Sequence, residues 1–462
     1  MENSIKLTLR DSKTARWTAL FILSFAMFAA YMFTEAISPL KPILERTYGW
    51  NSRDFGTVTS AYGLFNVFFF MLIIVGIVLD KFGIRFSTVA AGVIMIVGAL
   101  IKWLAFKGIF SPEQEINLLG LVQLKEQVFF AAFGYALFGV GAEYGGVVVT
   151  KAIVKWFQGY EMALALGVQV AIARIGSFVP LAFGALIASG TSVPFWILLI
   201  TLSLIAGLVA FFYYNMMDRK LDRQIDEALP VSDDEEFRIG DLGTIFSNKG
   251  FWLIAILCLL FYSAVFPFYK YGPDLMVNKF GVSEKWAGLL PSLVPFGTML
   301  LTPLFGSLYD NKGKGATIMI LGAFLLLLVH AVFYLPFVTS VVVAFFNVIL
   351  LGIAFSLVPS ALWPAVAKII PGKQLGSAYA LIFWIQNIGL WGIPLAVGIV
   401  LDKTNPGVAA AKNAGENVVY NYSVTWLIFV ALTIIALLMA FWLKAEDKKK
   451  AYGLELPNIQ KK

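Results

Sequence analysis

Two charged side chains, Glu143 and Arg174, interrupt long apolar stretches of the sequence. The planar guanidinium of an arginine suits a carboxylate in a way that a lysine ammonium cannot copy, and a glutamate can accept from an amine. Glu143 lies 14 residues before Phe157, and Arg174 lies 14 residues after Tyr160. Antiparallel neighbouring helices would therefore carry both charges at a similar depth, roughly 21 Å from the same turn. The pair could line a substrate site, and the alternative is a structural ion pair between two helices.

Other polar and aromatic side chains in the apolar stretches could complete the wall of such a site. For each of them the alternative is packing with interhelical hydrogen bonds, which is common in membrane helices. Glu35 is expected either to contact substrate or to lie at the membrane interface, Lys270 to anchor at the interface, and His330 to pack rather than to relay protons. The candidates for the wall are Gln169, Tyr62, Asn66, Tyr262, Phe266, Gln386, Asn387 and Trp384.

A short charged loop after the second apolar stretch is a candidate gate. Its sequence, GIVLDKFGIR, matches the pattern G-x-x-x-D-[RK]-x-G-x-[RK] at Gly76, Asp80, Lys81, Gly83 and Arg85. The first glycine would allow a helix to approach closely, the aspartate would bridge basic groups, and the second glycine would permit a tight turn. Ion pairs there would hold one face closed in one state and break in the other. A weaker copy of the loop, GSLYDNKGKG, contains Asp310 at the aspartate position.

The composition requires lipid as the solvent. Of 462 residues, 59% are hydrophobic and 14% are charged, whereas roughly a quarter are charged in soluble domains. The mean hydropathy is +0.81. About 20 apolar residues span a bilayer, so we predict an all-α membrane protein with twelve transmembrane helices. The predicted spans are 17–38, 56–79, 86–106, 128–156, 161–189, 193–217, 250–272, 285–309, 316–337, 340–370, 376–401 and 421–444.

Several functional classes are not expected from this sequence. It contains no nucleophile–base–acid set, phosphate-binding loop or metal-spaced cluster, so we predict no enzyme activity, no cofactor and no metal. Cys258 is the single cysteine, which excludes an intrachain disulfide. The net charge of +7 comes from residues at helix ends, which argues against nucleic-acid binding. The expected partners are a small-molecule substrate and the lipid bilayer.

A polar segment at 218–249 divides the chain into two six-helix bundles, 1–217 and 250–462, of which the second ends in a basic tail. Of the 35 Lys and Arg residues, 23 fall on the side of the two termini and 11 on the opposite side, with Arg174 between them. By the positive-inside rule, both termini are expected in the cytoplasm.

The two halves are related by an internal repeat with an offset of 213 residues. Gly139 falls on Gly352, whereas Glu143 falls on a serine and Arg174 falls on an asparagine. The scaffold therefore does not need charge at those two positions. Two repeats of the same polarity are the arrangement of major facilitator transporters, in which substrate binds between the halves near the midplane. The loop pattern at 76–85 is the signature of the same superfamily.

Several segments point to a narrower family. They are FYSAVFPFYKYG at 261–272, KWFQGYEMALALGVQVAIARIGS at 155–177 and ALWPAVAKIIPGKQLGSAYALIFWIQNIG at 361–389. Together with the DKFGIR loop, they resemble the family of major facilitator superfamily domain-containing protein 1, the lysosomal dipeptide uniporters of animals, and its prokaryotic relatives. The resemblance covers about residues 17–444. It implies facilitated dipeptide transport without obligatory proton coupling, with Glu143 and Arg174 in the peptide site.

The sequence departs from the animal family at its amino terminus, which lacks the acidic dileucine signal for lysosomes. We therefore expect a prokaryotic inner membrane, and the resemblance does not establish an accessory subunit. The first span also lacks the E-x-x-E-R pattern of proton-coupled peptide transporters. The leading hypothesis is a dipeptide facilitator that works by alternating access, with Glu143 and Arg174 holding the zwitterion. The alternatives are an organic-anion carrier in which Arg174 holds a carboxylate, and a transport-inactive sensor or scaffold.

Overall fold

The computed structural model of the protein is built almost entirely from helices. It describes residues 8–118, 120, 122–224, 240 and 242–458. In the first half the helices are α1 (Lys13–Thr34), α2 (Lys41–Tyr48), α3 (Ser52–Ser60), α4 (Leu64–Phe68), α5 (Met71–Phe106), α6 (Glu126–Phe157), α7 (Met162–Gly190) and α8 (Val193–Asp222). In the second half they are α9 (Leu242–Ser247), α10 (Lys249–Phe280), α11 (Leu289–Lys312), α12 (Gly315–Tyr334), α13 (Val341–Ile369), α14 (Leu375–Thr404), α15 (Val408–Asn413) and α16 (Ser423–Lys450).

Short 3-10 helices extend or link several of these elements. They are Ser38–Leu40, Ala61–Gly63, Glu284–Trp286 and Gly372–Gln374. Within the described residues, eleven helical segments are long and apolar enough to cross a membrane. One of them, α5, contains the end of the second crossing and the whole of the third, because Gly83 adopts φ 75° and ψ 175° and interrupts the helix. A positive φ of this kind strains any residue with a side chain, so the glycine permits the turn there.

The second predicted span, 56–79, is not one continuous helix, which corrects the prediction. Helix α4 ends at Phe68, and Phe70 adopts a left-handed φ of 51° before α5 begins. The indole Nε1 of Trp384 donates to the Val67 carbonyl at 3.0 Å, and its ring stacks on Phe70 at 5.4 Å. Because this indole takes a carbonyl that a continuous helix would use, the second half stabilises the break in the first.

The linker predicted at 218–249 is shorter than expected, because both flanking helices extend into it. Helix α8 continues to Asp222, where Arg85 Nη1 lies 2.6 Å from Oδ2 of that residue. Helix α10 begins at Lys249. Residues 225–239 of the predicted linker lie outside the described residues.

The two faces of the molecule carry different structures. On one, a hairpin not predicted from the sequence joins β1 (Glu115–Leu118) and β2 (Val122–Lys125) in antiparallel register. Its last residue contacts Asp54 at 2.8 Å, which fixes the hairpin to the start of α3. We call this the hairpin face. The opposite face carries Asp80, Asp310 and the ends of the chain, and we call it the termini face.

The first bundle is held together where glycines let helices meet. A Cβ on Gly98 of α5 would collide with the Gly134 carbonyl of α6, and a Cβ on Gly176 of α7 would collide with the Phe28 carbonyl of α1. Small residues at such crossings replace the hydrophobic driving force that lipid does not supply. These crossings set the positions of the charged side chains described next.

Candidate functional site

A cavity of about 1070 Å³ lies between the two halves and is lined by residues of both. At its hairpin end, Glu35 and Thr59 are only 1% and 2% exposed. At its termini end, the side chains of Asp80 and Lys151 are 32% and 31% exposed. The cavity is therefore closed towards the hairpin face and open towards the termini face.

A buried cluster of charges closes the hairpin end. The Lys41 ammonium lies 2.6 Å from Glu45 Oε1 and 2.9 Å from Asp274 Oδ2. The Tyr420 hydroxyl donates to Glu45, and the Tyr422 hydroxyl donates to Asp274. Burial raises the pKa of both hydroxyls, which keeps them protonated as donors. Lys41 and Glu45 belong to the first half and the other three residues belong to the second, so these contacts join the halves. We call these five residues the hairpin lock.

Glu143 lies on α6 and faces the cavity. The Tyr62 hydroxyl donates to its Oε1 at 2.9 Å. This contact depends on Gly139, one turn earlier, because a Cβ there would collide with the Tyr62 carbonyl. Asn387 of the second half lies within hydrogen-bonding reach of the same carboxyl group. The structure thus orients Glu143 with polar groups from both halves.

Arg174 lies on α7 and also lines the cavity. Its Cζ lies 5.9 Å from the ring centroids of Tyr31 and Phe266 and 5.1 Å from that of Phe355. Its Nη1 is buried and has no hydrogen-bond partner among the described residues. Arg174 forms no ion pair within 4 Å with Glu143 or with any other described carboxylate. The two charges are therefore not joined by a direct ion pair in this conformation, and aromatic rings lie against the guanidinium in cation–π contacts.

Five of the other predicted wall residues also line the cavity. Tyr262 accepts a hydrogen bond from Trp363 Nε1 at 3.1 Å, and Gln386 accepts one from Cys258 Sγ at 3.5 Å. The structure thus brings seven of the ten predicted substrate residues to one cavity. These five are Gln169, Tyr62, Tyr262, Phe266 and Gln386.

Three predicted wall residues do not line the cavity. Asn66 is 1% exposed, and its side-chain amide has no hydrogen-bond partner among the described residues. Asn387 is fully buried, donates to the Phe383 carbonyl at 3.0 Å and lies behind Glu143 rather than in the lining. Trp384 points away to the break in the second span. Sequence position could not separate the faces of these helices, because each helix is apolar around most of its circumference.

The predicted gating residues of the first half lie at the termini face. Asp80 Oδ1 pairs with Lys151 at 2.6 Å, and both side chains line the cavity. Arg85 pairs with the end of α8, while Lys81 is exposed. A Cβ on Gly76 would meet nothing within 4 Å, so no helix approaches this glycine in the conformation seen. The expected close approach at Gly76 is therefore absent here.

In the weaker copy of the loop, Asp310 Oδ1 accepts from Asn458 at 2.7 Å. The loop is also held by the end of the chain, since Gly315 N donates to the Leu454 carbonyl at 2.8 Å. The two copies of the loop thus find their partners within their own halves.

The charged residues near the hairpin end correct two expectations. Lys270 is not an interfacial anchor, because it is 6% exposed and donates to Glu35 Oε2 at 2.8 Å. Glu35 is likewise not an interfacial acid, since it is buried in the cavity wall. His330 is buried, stacks on Phe429 at 5.1 Å and does not line the cavity.

Several lining residues were not predicted from the sequence. Tyr31, Phe355, Trp363 and Tyr379 all face the cavity. Phe355 directly precedes Ser356, which takes the place of Glu143 in the internal repeat, so the repeat contained a signal for it. Within the described residues, no group of three or more His, Cys, Asp or Glu side chains could hold a metal ion.

Comparison with known proteins identifies the family. The model of the Major Facilitator Superfamily matches residues 23–394. The chain belongs to the Major Facilitator Superfamily. It is 28% identical over 456 residues to the lysosomal dipeptide transporter MFSD1 of Danio rerio, covering 96% of this chain and 89% of the relative. It is 28% identical over 403 residues to the Homo sapiens protein of that name, covering 84% and 80%.

Solved structures of the superfamily share the fold. A bacterial homologue of the human lysosomal transporter Spinster, inward-facing and occupied, has a TM-score of 0.69 at 14% identity, covering 95% of this chain and 98% of that one. The D-xylose-proton symporter has a TM-score of 0.65 at 14% identity, covering 92% and 97%. The predicted twelve-helix major facilitator fold and the resemblance to the dipeptide transporters are confirmed. The protein is a multi-pass membrane transporter.

Proposed function

We propose that the protein is a dipeptide facilitator that works by alternating access. The observation that carries the proposal is the placement of Glu143 and Arg174 in one cavity between the halves, without an ion pair between them. Relatives over most of the chain are named lysosomal dipeptide transporters. A dipeptide presents an amine and a carboxylate at its ends, and these two side chains match them in charge.

The site would hold the constant ends of the substrate and leave its side chains free. Arg174 Nη1, which has no partner in the described part of the chain, can donate to the carboxylate, and Glu143 offers an oxygen beside the Tyr62 hydroxyl for the amine. The aromatic wall of Phe266, Phe355 and Trp363 can contact varied side chains without selecting one hydrogen-bond pattern. Since His330 lies away from the cavity, we expect uptake to run without an imposed proton gradient.

The orientation follows from the positive-inside rule. We place the termini face in the cytoplasm of a prokaryote and the hairpin face outside. The conformation seen is then open to the cytoplasm. In the opposite state the residues of the hairpin lock would separate. The loop at 76–85 and its weaker copy at 306–315 would each approach the half to which it does not belong.

Counterflow of a labelled dipeptide in proteoliposomes tests the proposal. Glu143→Gln and Arg174→Lys should each reduce transport at least about a hundredfold, because a charge-assisted contact is worth roughly 1.5–3 kcal/mol and geometry is also lost. The matched controls are Glu113→Gln and Arg53→Lys, which change exposed residues at the hairpin face and should transport normally. Acetylating the peptide amine or amidating its carboxylate should weaken binding to the unaltered protein.

The second candidate is an organic-anion carrier. It is favoured by the contrast between Arg174, with an unpartnered buried nitrogen, and Glu143, which already accepts from Tyr62. If acetylated peptides and dicarboxylates bind as well as free dipeptides, this reading replaces the first. A protein that binds none of these and catalyses no counterflow would be a sensor or scaffold.

A further inference from the structure

A second group of charges lies between the hairpin lock and the centre of the cavity. Glu35 follows α1 in the first half, and its Oε2 accepts from Lys270 Nζ at 2.8 Å and from Ser38 Oγ at 2.6 Å. Lys270 belongs to α10 of the second half and also donates to the Thr34 carbonyl at 2.7 Å. This ion pair therefore crosses between the halves, and separation of the halves at the hairpin face would break it.

Lys102 of α5 adds a second cation to this group. It is fully buried, and its ammonium nitrogen has no hydrogen-bond partner among the described residues. The nitrogen lies 3.7 Å from the Tyr135 ring centroid and 5.2 Å from that of Phe33. It interacts electrostatically with both Lys270 and Glu35. Burying a long polar side chain without a hydrogen-bond partner is costly, which points to a partner in another state of the protein.

The backbone of Lys102 is fixed within the first half. A Cβ on Gly134 of α6 would lie 2.7 Å from the Lys102 nitrogen of the main chain, so α5 and α6 are in tight contact at this level. Tyr135 and Phe33 come from α6 and α1 of the same half. Lys102 and Glu35 thus move together, whereas Lys270 moves with the other half.

We propose that Glu35 exchanges partners during transport, pairing with Lys270 when the hairpin face is closed and with Lys102 when it is open. The proposal rests on the alternating access proposed above. When the halves separate, Lys270 leaves, and Lys102 is the cation of the first half that remains beside Glu35. The role of Lys102 is to set the balance between the two states, not to bind substrate.

Among the described residues, Lys102 is the only cation of the first half in this group. The other groups that interact with Glu35 are the hydroxyls of Ser38, Tyr135 and Tyr269. Hydroxyls can hydrogen-bond to a carboxylate but do not neutralise its charge. Removal of Lys102 should therefore favour the closed hairpin face twice over, by removing repulsion of Lys270 and by removing the alternative partner of Glu35.

Distances between spin labels at Thr47 and Lys285 test the exchange. Both residues are exposed at the hairpin face, one on each half, and the buried Cys258 would be replaced by alanine. Pulsed electron–electron double resonance then gives the ratio of molecules with an open hairpin face to those with a closed one, without any substrate. Lys102→Met should lower that ratio about tenfold, and Lys270→Met should raise it by a similar factor. In a Glu35→Gln background, both changes should shift the ratio clearly less, because only the repulsion between the two lysines and the Lys270 contact with the Thr34 carbonyl then remain.

The controls separate this inference from the transport proposal. Lys107→Met, at an exposed lysine just beyond α5, should leave the ratio unchanged, and Lys102→Arg should restore the unaltered ratio. If Lys102→Met does not accumulate in the membrane, Lys102→Gln serves the same test. The inference is overturned if removing Lys102 leaves the ratio unchanged, or shifts it equally with Glu35→Gln. Failure of the unaltered protein to transport dipeptides would instead overturn the substrate assignment alone.

Discussion

The two ends of the interface between the halves differ in where their charged side chains find partners. At the termini face, the described ion pairs stay within one half, as with Asp80–Lys151 and Lys249–Glu446. At the hairpin face, three of the described ion pairs cross from one half to the other. The crossing pairs are Lys41–Asp274, Lys270–Glu35 and Arg46–Glu284.

This difference shows how one conformation can be stabilised while the change to the other conformation remains possible. Two of the crossing pairs are almost completely buried, and removing one partner from a buried pair costs far more than removing one from an exposed pair. The described pairs of the termini face lie within one half, and they are formed while this face is open. The closed hairpin face, in contrast, depends on a few buried contacts between the halves, which separation of the halves there would break.

The largest effect is expected from Asp274→Asn, which removes the charge that Lys41 contacts across the interface. Loss of one partner in a buried pair typically costs about 3–5 kcal/mol, so the hairpin face should open. Spin labels at Thr47 and Lys285 should move apart relative to the unaltered chain. An unchanged distance distribution would mean that apolar packing, and not the lock, holds this face closed.

The next largest effect, a loss of transport, is expected from Gly76→Leu at the other face. Nothing lies within 4 Å of a Cβ at Gly76 in this conformation, so the leucine fits now and would block closure of the termini face. Counterflow should be lost, while dipeptide binding from the termini side and thermal stability persist. Gly297→Leu on α11 is the matched control, since that position is equally open but outside the cavity wall. Normal counterflow by Gly76→Leu would contradict close packing at this glycine in the other state.

A smaller effect is expected from Asp80→Asn. The pair with Lys151 is about one-third exposed, and such pairs are worth roughly 0–1 kcal/mol. Transport should slow by up to about fivefold while dipeptide affinity stays the same, because the loop biases the two states without contacting substrate. Dipeptide binding and flux should be measured on one preparation. An equal loss of both would show that Asp80 does not act in gating.

The smallest effect is expected from Glu284→Gln. This residue pairs with Arg46 across the hairpin face, but the two side chains are 38% and 57% exposed. The change should alter the opening equilibrium by less than about 1 kcal/mol. It is the matched control for Asp274→Asn, since both changes remove a charge from a crossing pair. Equal shifts from the two variants would show that burial does not set the strength of the closure.

Much of the candidate site was predictable because its signal was local or repeated. Glu143 and Arg174 were singled out as charges in apolar stretches that the internal repeat does not keep, and both line the cavity. Gly83 was assigned to a tight turn from the loop pattern, and it has a positive φ. These predictions needed only hydropathy, spacing and the properties of single residue types.

Other features escaped prediction because they depend on contacts between distant residues. Lys270 looked like an interfacial anchor until its partner, Glu35, was placed beside it by the other half. The break before Phe70 depends on an indole 317 positions from the carbonyl that it contacts. The orientation of Trp384 and Asn387 was also undetermined, since apolar residues surround both on their helix.

Composition, hydropathy and spacing were enough to predict the lipid environment, the number of crossings, the two related halves and the charged side chains available for function. These follow from composition and local periodicity, which do not depend on how helices pack. Which charges pair, and hence which face is closed, could be seen only in the packed fold. Lys41 and Asp274 are 233 positions apart, and each could be satisfied by water or by another residue in an isolated helix. Their burial against each other is a property of the assembled halves, because the distance and the exclusion of water are set by packing and not by either segment alone.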